Sequence, residues 1–426
     1  MQARLIPTRS IWWMNPAKYL LFFLLPIFLV ACILGPPLMP MFGQLNYIDF
    51  EKIMLGAAAI AALAIGSGAG QFATKSVAKG RVPLRSHTEI VLLGLLGTSV
   101  LMHLILMNQL FLDRETFISI ITGQPGAVFR FRNNAARIPG ITSFTQVYVI
   151  AFPLMGAYKA LYGKRWSKAV SLTALTLVML MFLRAFTLAE RLILVEAIIL
   201  FAVPRLMLSD FRGTLVNLFP VLGFVGIFVL FAAGEYIRSW HFYEDSYDSY
   251  LEFVVLRMSG YVITATNTGA GILERIGTTG YPYVTALWFW RLPFIELAGF
   301  EATSPISKFL QNYGNAEFNN PSGIFAAIID FGTVAGLLVY FLLGLVAGWL
   351  YRRFTIGNII AIVIFPIMFM ALLELTQVFY LGDPRLFTSY ALLPPILWFL
   401  IKGSTASDVS AHEGYRRPSF KSMRVV

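Results

Sequence analysis

The sequence predicts an all-α polytopic membrane protein, and three observations carry that prediction. Apolar residues make up 58% of the chain and charged residues only 13%, against about 25% charged in soluble domains. The apolar residues gather into ten runs, each near the ~20 residues a helix needs to cross a bilayer. The cations then fall between alternate runs, as they do when one side of a membrane collects lysine and arginine. A chain of this composition could not cover an aqueous surface with polar groups. That excludes a soluble enzyme, a nucleic-acid-binding domain and a disordered scaffold. A single cysteine, Cys32, excludes a disulfide framework and a thiolate metal site.

The expected spans lie near 18–36, 52–72, 88–111, 143–161, 167–185, 188–204, 214–236, 322–350, 358–380 and 386–402. Leu29-Val30-Ala31-Cys32 in the first has the form of a lipoprotein box. Ile33 and Leu34 continue the apolar run, so it reads as an ordinary uncleaved span. Arg4, Arg9 and Lys18 precede the first span, and Lys75, Lys79, Arg81 and Arg85 follow the second. Lys159, Lys164, Arg165 and Lys168 follow the fourth, Arg205 and Arg212 the sixth, and Arg352 and Arg353 the eighth. Lys402, Arg416, Arg417, Lys421 and Arg424 follow the tenth, in a polar tail over 403–426. These cations share one side, so both termini are expected in the cytoplasm, and much of the net charge of +11 is topology signal. Gly66 with Gly70, and Gly344 with Gly348, have the small-xxx-small spacing that brings helix backbones together.

Two segments on the opposite side, 112–142 and 237–321, are longer than a connection requires. The second holds Val254-Val255-Leu256, Leu287-Trp288-Phe289-Trp290 and Leu292-Pro293-Phe294-Ile295. It is expected to form amphipathic helices at the bilayer surface, anchored by Trp288 and Trp290, as a lid over a cavity. The cations on this side are Lys52, Lys308 and eleven arginines: Arg114, Arg130, Arg132, Arg137, Arg184, Arg191, Arg238, Arg257, Arg275, Arg291 and Arg385. Arginine keeps its charge, and its planar fork takes phosphate oxygens in pairs, so the expected ligand is an anion and best a diphosphate. Lipid headgroups or acids in the same loops are the competing partners.

Arg130, Arg132 and Arg137 form the densest cluster. Arg191 stands beside Glu190, and Glu196 lies more than a turn into the following apolar run. An ionisable group at that depth is costly, which points to function or to an Arg–Glu pair tying two helices. Glu374 is a second such acid, with no partner evident from the sequence. His241, Glu244 and Asp245, in a stretch that also holds Tyr243, Tyr247 and Asp248, are candidates for moving a proton from an acceptor hydroxyl. The same stretch also reads as a solvated acidic loop. No phosphate-binding glycine loop with lysine, His-x-x-x-His pair or nucleophile elbow occurs, so no nucleotide, metal or other cofactor is expected.

The segment Asn315-Ala316-Glu317-Phe318-Asn319-Asn320-Pro321-Ser322-Gly323 leads into Ile329-Asp330-Phe331-Gly332 and then Gly336. It resembles the stretch closing the large periplasmic loop of bacterial oligosaccharide repeat-unit polymerases, the O-antigen polymerase (Wzy) type. Arg130 to Ile141 is similar to that family's arginine-bearing earlier loop, Arg191 with Glu196 to the arginine that opens a span, and Arg257 with Tyr261, more weakly, to an Arg–Tyr pair of the large loop. The resemblance covers these patches and the topology. It implies a GT-C-like membrane glycosyltransferase of the bacterial inner membrane. The substrate would be an undecaprenyl-diphosphate-linked oligosaccharide, transferred en bloc to an incoming lipid-linked repeat at the periplasmic face. It also admits a chain-length-regulating membrane protein as a partner. On this reading Arg191, Arg257 and Arg137 hold the donor diphosphate, Arg130 and Arg132 guide polymer or carrier, and one of His241, Glu244 and Asp245 is the base. Asp330 orients a loop or helix end. The alternatives are a ligase moving finished polymer to a lipid A core, a transporter of lipid-linked oligosaccharide, and a membrane acyltransferase, for which no His–Asp signature appears.

Overall fold

The computed structural model describes residues 10–74, 83–122, 124, 126–134, 142–188, 190–209, 214–292, 295, 305–315 and 317–402, and among them it is helical with no strand. The longer helices are α1 (Pro16–Phe42), α2 (Phe50–Ala73), α3 (Arg85–Leu112), α4 (Arg114–Ile121), α5 (Ala127–Asn134), α6 (Tyr148–Tyr162) and α7 (Lys168–Thr187). They continue with α8 (Leu192–Met207), α9 (Thr214–Arg238), α10 (Tyr250–Arg275), α11 (Pro305–Tyr313), α12 (Ala326–Thr355), α13 (Ile359–Leu373) and α14 (Phe387–Lys402). Side-chain oxygens cap several starts, each accepting an N–H that the first turn leaves unpaired. Asp49 accepts from Lys52 N (2.8 Å), Ser249 from Glu252 N (3.2 Å), and Asn358 from Ile360 N (3.0 Å).

Among the described residues eight helices are long and apolar enough to cross a membrane: α1, α2, α3, α7, α9, α12, α13 extended to Thr376, and α14 with its preceding turn from Pro384. Each of the ten apolar runs holds a helix. The other two, α6 and α8, have 15 and 16 residues, short of the ~20 that span a bilayer. A 3-10 stretch, Thr142–Val147, precedes α6, and a turn at Arg191 opens α8. The protein is thus a membrane-embedded helical bundle.

Contacts sort the helix ends into two groups. Asn15 donates to Gln71 (2.8 Å), Trp13 to Val216 O (2.9 Å) and Arg85 to Arg165 O (3.5 Å). At the other end Asn315 donates to Phe42 O (2.6 Å), Asn267 to Leu45 O (2.8 Å), and Ser389 to Gln146 O (3.0 Å). Every one of these joins residues that the cation alternation places on the same side.

The centre of the bundle is the pair α2–α12. A Cβ at Gly66 or Gly70 would collide with the carbonyls of Phe341 or Leu345, and one at Gly344 or Gly348 with those of Leu63 or Ser67. Both small-xxx-small patterns therefore lie in one seam, where backbones touch because no side chain intervenes.

The segment 237–321 departs from the surface-helix expectation. It contains α10, a 26-residue helix with Phe253, Val254, Arg257, Gly260 and the run Ile263–Ile272 buried, packed against α1. Two of its threonines bond to the preceding turn: Thr264 Oγ1 donates to Gly260 O (2.6 Å) and Thr266 Oγ1 to Val262 O (2.9 Å). Asn267 also accepts from Tyr47 N (2.8 Å). Trp288 stacks on Phe387 with ring centroids 5.6 Å apart, and Trp290 donates to Pro282 O (3.1 Å). Both rings thus have protein partners.

Candidate functional site

The hairpin between α7 and α8 carries three ionisable groups whose partners come from different elements. Arg184, near the end of α7, pairs with Glu190 (2.5 Å) and donates to Thr145 (3.0 Å). Arg191 caps α8 and pairs with Glu235, in the last turn of α9. Glu196, 1% exposed, accepts from Tyr148 of α6 and lies 4.0 Å from Arg385, which is bound to Asp383 (2.8 Å). The sequence groups Arg191 with Glu190 and Glu196. In the fold each binds elsewhere, because a helix start points its successive side chains in different directions.

The richest group forms around Glu235, whose side chain is 0% exposed. Arg191 reaches it from one side, with its Nη1 on Phe231 O (3.3 Å) and its guanidinium 4.7 Å from the Phe231 ring centroid. Gly234 makes this possible, since a Cβ there would stand 2.8 Å from Arg191 Cδ and Nε. Arg257, two turns into α10, reaches it from the other side, with Nε 2.6 Å from Glu235 Oε2. That contact is electrostatic, because the N–H is not aligned as a hydrogen bond. Arg257 Nη1 binds Glu317 (2.7 Å), and Glu317 also accepts from Tyr243 (3.1 Å). Glu317 is positioned by Asn315, which accepts its N–H (2.7 Å).

The Arg257 guanidinium lies among the rings of Tyr243, Phe253 and Phe318, 5.3, 5.5 and 5.3 Å from their centroids. Such faces favour a cation in a dry setting. Burial by itself disfavours the charged form, but Glu235 and Glu317 outweigh it and hold the Arg257 pKa above its ordinary value. Burial, followed by the Glu317 charge, also pushes the Tyr243 phenol up, so it stays a neutral donor. Tyr261, one turn after Arg257, packs between Phe231 (5.6 Å) and Phe318 (4.8 Å). Arg238 lies close enough to act on the Glu235 charge. Arg191 and Arg257 thus meet Glu235 and Glu317 in one group. Arg257 Nη2 is buried and has no hydrogen-bond partner among the described residues.

The other sequence candidates are placed differently. His241 Nδ1 and Glu244 Oε1 face each other at 3.8 Å on the turn that carries Tyr243, with side chains 59% and 49% exposed, and Asp245 is exposed beside them. They form the outer rim of the cluster. Arg130 is exposed on α5, whose Phe131 packs in a separate apolar cluster with Leu106, Leu110 and Leu188. Arg132 belongs to the same helix, and Arg137 lies outside the described residues. Asp330 is fully buried and its oxygens are occupied: they accept from Val284 N (3.1 Å), Thr285 N (2.7 Å) and Thr285 Oγ1 (2.7 Å). It pins that loop to the first turn of α12. Just before α12, Ser322 has φ +50, a strained backbone of the kind that clusters at functional sites. Glu374 ends α13 close enough to Glu196 and Arg385 to share their field.

Glu235, Glu317 and Tyr243 were not singled out by sequence. The available signal for Glu235 was Gly234-Glu235 closing an apolar run. Among the described residues no group of three or more His, Cys, Asp or Glu could hold a metal ion. Family models, curated proteins and solved structures yield no match to this chain.

Proposed function

We propose that the protein is a GT-C-like membrane glycosyltransferase, a polymerase that moves an oligosaccharide from an undecaprenyl-diphosphate donor to an incoming lipid-linked repeat. It works at the periplasmic face of a bacterial inner membrane. The observation that carries this reading is the buried Arg191–Glu235–Arg257–Glu317 cluster with its unpaired Arg257 Nη2. A water-poor site with two arginines, set beside apolar helices, suits a membrane-borne anion better than a free solute. Fixed charge of this kind stabilises a leaving group whose charge grows in the transition state.

In the proposed step an acceptor hydroxyl oxygen attacks the anomeric carbon of the donor sugar. The new C–O bond forms as the bond to diphosphate breaks, and the lipid diphosphate leaves with the electron pair. Arg191 and Arg257 stabilise that charge, while Glu235 holds the two guanidiniums together. The hydroxyl proton passes to a base on the rim, for which His241, Glu244 and Asp245 are the candidates.

The test is purified protein in vesicles given a lipid-linked oligosaccharide. A polymerase yields a ladder of longer lipid-linked products. A single product formed only with lipid A core would instead identify a ligase, and movement of carrier between leaflets without any ladder would identify a transporter.

A further inference from the structure

A second group of ionisable side chains sits deep in the bundle, apart from the Glu235 cluster. Glu196 of α8, 1% exposed, accepts from the Tyr148 hydroxyl of α6 and lies 4.0 Å from Arg385 Nη2. Arg385 binds Asp383 through Nη2 (2.8 Å) and Nε (2.9 Å), and Asp383 also accepts the Arg385 backbone N–H (2.9 Å). Tyr380, 1% exposed, lies against Glu196, and its hydroxyl has no aligned hydrogen-bond partner among the described residues. Glu374, partly buried, completes the group: the charges of Glu196, Arg385 and Asp383 act on it, and its own charge reaches Tyr19 of α1. Its depth makes charge costly there. Helix α13 has 15 residues after its cap Asn358, so Glu374 stands roughly 24 Å along the helix, within the ~30 Å of a hydrocarbon core. The charges do not cancel. Three carboxylates, Glu196, Glu374 and Asp383, face one guanidinium, that of Arg385. Arg184, whose charge also reaches Tyr148, is paired with Glu190.

We infer that Glu374 and Glu196 form a proton-binding site inside the membrane, with one exchangeable proton carried on the Glu374 carboxyl. Contacts select which acid carries it. Asp383 is held as a carboxylate by two guanidinium nitrogens, and Glu196 by the Tyr148 hydroxyl with Arg385 beyond it. Glu374 has no such support: among the described residues no N–H or O–H donates to its carboxyl and no cation forms an ion pair with it. A like charge nearby and a dry setting both disfavour a second carboxylate, and a buried acid without a partner takes up a proton instead. Protonation forms an O–H bond on Glu374 and removes one of the group's unanswered negative charges. A metal ion would need three or more acid, thiol or imidazole groups around one point, and the described residues offer no such set. The site holds whether or not the chain transfers sugars, because nothing in it draws on the proposed donor.

The experiment is infrared spectroscopy of the full chain in vesicles at neutral pH, recording the carbonyl stretch that a protonated carboxyl gives and a carboxylate does not. Expected is a band that moves on transfer to heavy water, moves again when the glutamates alone are isotopically labelled at the carboxyl carbon, and is lost in Glu374→Gln. Absence of the band in the wild-type protein overturns the inference. So does a band indifferent to heavy water, one indifferent to the glutamate label, or one that survives in Glu374→Gln. Unfolding temperature gives a second reading. Gln has the shape and charge of the neutral acid, so Glu374→Gln should unfold where the wild-type protein does. A variant that unfolds at a lower temperature, or fails to fold, would show that Glu374 serves as an ionised partner of Arg385, and the proton site would be withdrawn.

Discussion

Replacing Glu235 by Gln probes the centre of the cluster. The substitution keeps the shape, so no cavity is opened, and only the charge is removed. Arg257 is 5% exposed and the Arg191 side chain 14%, so both guanidiniums would remain buried with one fewer counter-charge. Removing one member of a buried ion pair costs about 3–5 kcal/mol, because the partner stays desolvated. Arg257 retains Glu317 and Arg191 retains Phe231 O, which places the expected loss near the lower figure, about 3 kcal/mol. Thermal unfolding in detergent gives the measurement, with a double-mutant cycle against Arg257→Met. Since the two side chains share one contact, the double variant should lose at least about 1 kcal/mol less than the sum of the singles, within the range for touching residues. Wild-type stability of Glu235→Gln, or strict additivity, would refute the reasoning.

Three further outcomes follow from named contacts. Gly348→Val in the α2–α12 seam places a branched side chain where Ser67 O already lies; backbone must part by about 1 Å, costing at least the ~1–3 kcal/mol of overpacking, read as a lower unfolding temperature, and an unchanged one would disprove the seam. Asp330→Asn turns an amide donor toward N–H groups of Val284 and Thr285; a loss of about 2 kcal/mol and faster amide exchange over 277–286 are expected, and unchanged exchange at Thr285 would show that the carboxylate does not hold the loop. Arg191→Lys loses the planar fork and the Phe231 contact; ladder formation should fall at least tenfold, the equivalent of about 1.4 kcal/mol, and full turnover would remove Arg191 from donor binding.

The apolar runs were legible because a bilayer imposes one requirement, length of hydrocarbon contact, and each run met it closely enough to mark a helix. The seam was legible for a similar reason: glycine at i and i+4 has one economical use between helices. Helix α10 was not, because its buried face carries Thr264, Thr266, Thr268 and Asn267, and a hydropathy reading sees polarity without seeing bonds to Gly260 O or Tyr47 N. The company the arginine candidates keep was legible only in part. Arg191 and Arg257 converge on one carboxylate, while Arg130 sits on a different helix cluster. What joined the first two, Glu235, is an acid at the end of a span, a position where charges ordinarily mark the boundary.

Gly332 has φ 81 and ψ 173 inside α12, a conformation open essentially only to glycine. The short part before it is bound by Asp330 to the 284–285 loop, and Tyr340 of the long part donates to Gly323 O (2.7 Å) and accepts from Ala327 N (3.1 Å), which ties the two parts across the bend. The long part after it is interlocked with α2. The bend is therefore braced from inside by Tyr340 and by Gly336, whose missing Cβ lets the helix lie against Ala327 and Ile328. The carboxylate of Asp330 and the seam with α2 are thus held at a fixed angle to one another, and a side chain at 332 would strain that angle through its backbone and not through lack of room.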